Sequence, residues 1–92
     1  MVVELGRILK ANAGRDKNCY FVLTGIIDED YIYIANGKNR KISLQKRKKI
    51  KHVTDTGRTS KLLNEKLSAY KKVKNSELRK VLDDFLKSDN KF

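Results

Sequence analysis

The chain has 92 residues, 36% charged and 39% apolar, with 22 Lys or Arg against 11 Asp or Glu and a formal net charge of +11. That length holds one domain, which buries about 60–65% of the surface its unfolded chain exposes and has no space for a second, catalytic one. A lone cysteine excludes an internal disulfide framework and a cysteine-based zinc site; no apolar run approaches the ~18 residues of a membrane span and MVVELGRILK lacks a signal-peptide pattern, so a cytoplasmic protein without a membrane partner is expected.

Strands are expected first. Val3 to Lys10 is mostly apolar and β-branched at its start, which predicts a strand, and Ala13 to Asn18 collects turn-tolerant residues. Cys19 to Ile27 (CYFVLTGII) is a long β-rich run, in which Cys19 is expected as a small buried hydrophobe. After a polar turn at Asp28-Glu29-Asp30, YIYIA alternates tyrosine with isoleucine and makes Ile32 and Ile34 the expected core pair. Asn36-Gly37 accepts positive φ at both positions and predicts a hairpin leading to a fourth strand near Lys38. From there the alternation of Ile42 and Leu44, then Ile50 and Val53, predicts two short strands joined by an exposed loop over Gln45 to Lys49.

Beyond Thr54-Asp55-Thr56-Gly57 the period becomes helical. Leu63, Leu67 and Tyr70 at i, i+4, i+7, with Thr59 or Ser60 as cap, predict a short helix over 59–69. Leu78, Val81, Leu82, Phe85 and Leu86 repeat at helical spacing after Asn75 or Ser76, and this stripe is expected to pack on the strands, with partner binding as the other use; the tail from Asp89 to Phe92 is expected to fray.

Charge is concentrated along this order. Residues 1–36 carry a net −1 and 75–92 balance, whereas Lys38 to Lys51 (KNRKISLQKRKKIK) holds eight cations and no acid, and 52–74 adds +4. A nearly neutral scaffold with one polycationic edge points to a polyanionic partner. The four cations Lys46 to Lys49 repel one another unless an anion compensates them, and Lys71, Lys72 and Lys74 make a second, weaker cluster.

The stretch from Glu4 to Ile27, with Gly6-Arg7 opening a strand, Ala13-Gly14-Arg15-Asp16-Lys17 in the loop and an apolar strand from Tyr20-Phe21-Val22, resembles a KOW motif. The order of that unit, the DED turn, YIYIA, KRKKIKHV and the ending NSELRKVLDDFL resembles small bacterial KOW-domain RNA-binding proteins and, more distantly, large-subunit ribosomal proteins. The resemblance implies a mostly β fold with C-terminal helices: an SH3-like β-barrel over 1–56, then a helical extension over 57–92 packed on it as one structural domain. Asn18 stands where relatives often have a second glycine, and asparagine is the best non-glycine residue for a left-handed backbone.

The expected function is binding of structured RNA, ribosomal RNA by the resemblance, with ribosomal proteins as further partners and a free monomer. Phosphate contacts are assigned to Gly14, Arg15 and Lys17 in the loop and to Lys38, Arg40, Lys41, Lys46, Arg47, Lys48, Lys49 and Lys51 along the basic rim. Gly14 serves either turn geometry or close approach to an RNA backbone; Tyr20, Tyr31 and Tyr33 serve either the packing of the barrel or stacking on unpaired bases. The alternative is a KOW adaptor that binds a transcription or translation factor. His52, the only histidine, has no cysteine nearby in sequence, the acidic clusters Asp28-Glu29-Asp30 and Asp83-Asp84 read as turn and helix surface, and no nucleotide-type glycine loop is present, so neither an enzyme nor a metal or cofactor is expected.

Overall fold

The computed structural model describes residues 3–89; the tail residues 90–92, where fraying is expected, lie outside them. Five strands, β1 (Arg7–Ala11), β2 (Tyr20–Ile26), β3 (Tyr31–Ala35), β4 (Lys46–Lys49) and β5 (Val53–Thr59), are followed by α1 (Lys61–Ser68) and α2 (Asn75–Asp89). All pairings are antiparallel in the order β4-β3-β2-β1-β5. The barrel expected from the sequence is not closed, because among the described residues no ladder joins β4 to β5, the two edges of the sheet. The sheet nevertheless curls, since Val53 of β5 shares a core with Ile32 and Ile34 of β3.

The long apolar run of β2 reflects burial on both faces. Phe21 and Leu23 join Leu9, Ile32 and Ile34 inside the curl, while Val22 joins Ile8 and Ala35 on the outer face, where helices cover them. Leu63 of α1 and Leu78, Leu82 and Phe85 of α2 supply that cover, and Tyr20 lies 5.6 Å from Phe85, ring to ring. Most of the α2 stripe thus packs on the sheet as expected, Val81 at its margin, whereas Leu86 is exposed; Ser60 caps α1 with its hydroxyl accepting from Leu63 N. Lys66 of α1 donates to Glu77 of α2.

Several expectations are corrected. Cys19 is exposed, because it lies in the turn ahead of β2 with its N–H donating to Asp16 O. Glu4 to Gly6 turn before β1 begins at Arg7, whose guanidinium makes two bonds to Asp55, 2.8 and 3.0 Å, and ties β1 to β5. Asn36-Gly37 opens no two-residue hairpin. The buried Asn36 side chain accepts from Lys38 N and Arg40 N, Arg79 of α2 donates to Gly37 O, and Asn75 accepts from Ile42 N, so the loop is pinned to the start of α2. Residues 42–44 form one 3-10 turn with Leu44 80% exposed, and β4 begins only at Lys46, where the sequence predicts an exposed loop. A second 3-10 turn, Ile50–His52, leads into β5, which runs through the 56/57 division between barrel and helices. Tyr70, expected on the apolar stripe of α1, is 97% exposed.

Among the described residues no helix is long and apolar enough to cross a membrane, and no group of His, Cys, Asp or Glu is placed to hold a metal ion.

Candidate nucleic-acid interface

Four consecutive cations form a strand because their side chains alternate. Lys46 and Lys48 stand opposite Ile34 and Ile32, whose side chains lie in the inner core, so both lysines are on the inner face; Arg47 and Lys49 stand opposite Tyr33 and Tyr31 on the outer face.

The inner pair is engaged by the protein itself. Lys46 Nζ donates to Asp16 Oδ2 at 2.9 Å, and Arg40 reaches the same oxygen through Nη2 at 3.1 Å and Nε at 3.3 Å. Asp16 is buried; burial by itself raises its carboxyl, but the hydrogen bonds from Lys46 and Arg40 outweigh that and hold it below the usual carboxylate range. Lys48 is buried too, with Nζ donating to Ala13 O at 3.1 Å, and desolvation, aided by repulsion from Lys46, pushes its ammonium below the ordinary lysine value. These contacts tie the 13–18 turn to β4 at the mouth of the curl.

The turn itself presents Gly14, Arg15 and Lys17 to solvent. Gly14 has φ +79° and a Cβ there would meet only Lys48 Nζ at 3.5 Å, so the backbone conformation, not crowding within the protein, calls for glycine. Asn18 has φ +73°, the left-handed conformation expected of it. Lys38, Lys41 and Lys51 are exposed. Of the assigned cations, Arg15, Lys17, Lys38, Lys41, Arg47 and Lys51 thus remain open to an external anion, Lys49 is half-buried, Arg40 and Lys46 are half-buried and paired with Asp16, and Lys48 is buried beside them.

On the outer face, the Arg47 guanidinium lies 4.3 Å from the centroid of the Tyr31 ring, and Lys49 Nζ lies 5.8 Å from it. Tyr31 and Tyr33 are half-buried, whereas Tyr20 is committed to Phe85. Two features are not legible in the sequence pattern: Asp16 as the shared anion of Arg40 and Lys46, and Tyr70 as a projecting ring. The signal for the second is local, since Tyr70 is followed directly by Lys71-Lys72 at a helix end that has no glycine.

Compared with protein-family models and with curated proteins, the chain gives no match in either.

Proposed function

We propose that this chain is a cytoplasmic, KOW-type RNA-binding protein that associates with the ribosome and holds structured RNA mainly through phosphate contacts, its sheet being an SH3-like barrel left open. The observation that carries the reading is the set of exposed cations, Arg15 and Lys17 on the turn and Lys38, Lys41, Arg47 and Lys51 along the rim, on a chain of net charge +11. The ion cluster supports the same reading: it holds the 13–18 turn against β4, so that the exposed cations flank a rigid edge and little ordering entropy is lost on binding. The resemblance supplies the ribosomal part of the proposal. An adaptor would use either the α2 stripe or the barrel face; of the stripe, Leu78, Leu82 and Phe85 lie beneath the helix against the sheet, which leaves the barrel face as the route for that second reading.

The test is a salt titration of binding to a structured RNA hairpin. Replacing Arg15, Lys17, Lys38 and Lys41 by Gln is expected to weaken binding whatever the RNA sequence and to flatten the slope of log K against log salt by up to about one unit for each phosphate no longer neutralised. Unchanged affinity and slope would remove the rim from the function. Association with ribosomal RNA is checked by sequencing RNA crosslinked to the protein in cells; recovery without enrichment of ribosomal sequences refutes that part alone.

A further inference from the structure

Tyr70 occupies a position that its own backbone disfavours. It follows the C-cap Ala69 of α1, its N–H donates to Leu67 O and that of Lys71 donates to Lys66 O, which is the Schellman ending whose left-handed residue is usually glycine. Here that residue is a tyrosine with φ +56°. A bulky residue in this region is strained, and packing gives no compensation because the side chain is 97% exposed.

The ring does not stand alone. Tyr70 and Lys71 border a groove of about 490 Å³ whose floor includes Gly25 and Leu67. Gly25 pairs with Tyr33, and a Cβ on it would lie 3.1 Å from the Tyr33 ring, so the ring rests directly on the glycine backbone. Gly25 therefore joins the groove to the outer face of β3 and β4, where Tyr33, Tyr31 and Arg47 follow. Among the described residues no carboxylate lines the groove, and cations occur along the path at Lys71, Arg47 and Lys49. At the far end the path stops against Glu29 and Asp30, which line the hollow beside Tyr31.

We infer that this face, from Tyr70 across Tyr33 to the Tyr31–Arg47 pair, binds a single-stranded segment of RNA by stacking its unpaired bases. The inference rests on the RNA-binding reading above and adds a second surface to the rim. Tyrosine rings and a guanidinium plane offer stacking platforms to any base, and flanking ammonium groups meet the phosphates between them. A wholly apolar partner would leave those cations desolvated and unpaired, whereas the polyanion compensates them.

The inference is tested with three probes: a 12-nucleotide single-stranded RNA, an abasic ribose-phosphate strand of equal length, and an RNA duplex. The chain has four tyrosines and no tryptophan, so tyrosine fluorescence reports stacking directly. The single strand is expected to bind at least about tenfold more tightly than the abasic strand and to quench the fluorescence; Tyr70→Gly and Tyr31→Leu each lower single-strand affinity about 5-fold to 100-fold and spare the duplex. Tyr70→Gly relieves the left-handed strain, so its melting temperature stays at or above that of the unaltered protein and loss of fold cannot explain the loss of binding. Equal affinity for the abasic and natural strands, with duplex binding intact, overturns the stacking face and leaves the rim reading standing. Failure to bind any of the three at low salt overturns both. Concentration-dependent self-association abolished by Tyr70→Gly would assign the face to a second copy of the chain, against the inference.

Discussion

At the mouth of the curl, Arg40 and Lys46 converge on the buried carboxylate of Asp16 with Lys48 beside them; on the outer face of the same strands, Arg47 and Lys49 lie against the partly open ring of Tyr31. β4 supplies cations to both regions by alternation alone. In the first, one carboxylate is shared by Arg40 and Lys46 and Lys48 is bonded to a backbone carbonyl, which attaches a turn and leaves the cluster net positive; in the second the charge stays in reach of solvent and hence of an external anion. Equal formal charge thus gives unequal binding capacity, and the count of Lys and Arg in the segment overstates the cations open to phosphate.

The largest effect is expected where the outer face is roofed by α2. Phe85→Ala should destabilise the protein by about 3 kcal/mol or more in denaturant unfolding. Its RNA binding should persist wherever the fold persists; an unaltered unfolding midpoint would mean that α2 does not contribute to the core.

Next comes the ion cluster. Asp16→Asn leaves three cations facing one another and should cost about 3 kcal/mol. Because the folded carboxyl is held below its unfolded value of about 4, the stabilisation it confers is present above that pH and is lost as pH falls through the lower folded value. Unfolding curves measured down the acid range should therefore fall more steeply for the natural protein than for Asp16→Asn, and parallel curves would refute the pairing.

The contrast within β4 is sharpened by two variants. Lys48→Met removes a desolvated ammonium together with its bond to Ala13 O, so the two effects offset and stability should change little, with the salt slope of RNA binding unchanged, whereas Arg47→Gln with Lys49→Gln should flatten that slope by on the order of one unit for each phosphate these side chains neutralise. Equal slopes in both would erase the distinction between inner and outer faces.

Two smaller effects concern left-handed backbone. Gly14→Ala should cost about 1 kcal/mol in unfolding measurements, since φ is positive there. Tyr70→Gly should add about 0.5 kcal/mol, and a loss of stability instead would show that the exposed ring contributes to folding.

Local sequence carried much of the fold because some signals have a single physical reading. The spacing of Leu78, Leu82 and Phe85 commits α2 to one apolar face, Ile32 and Ile34 share a side of β3 by the strand period, and Gly14 with Asn18 marks a turn. Other signals were ambiguous locally. Asn36-Gly37 satisfies a hairpin, yet the Asn36 side chain instead closes a loop by accepting from Lys38 N and Arg40 N, and Ile42 N and Gly37 O of that loop bond Asn75 and Arg79 of α2, distant in sequence. Cys19 belongs to an apolar run, but the hydrogen bond from its N–H to Asp16 keeps it in the turn and exposed.

The sequence by itself determined that the chain is one strongly cationic domain of strands followed by an amphipathic helix, because composition, periodicity and turn chemistry act over a few residues. Which cations remain free was decided only by the tertiary structure. The register of β4 against β3 turns Lys46 and Lys48 inward, and the curl brings Asp16 to Lys46 across thirty positions of chain. A charge is available to a partner only after the fold has placed its counter-charges, and that placement depends on contacts distant in sequence.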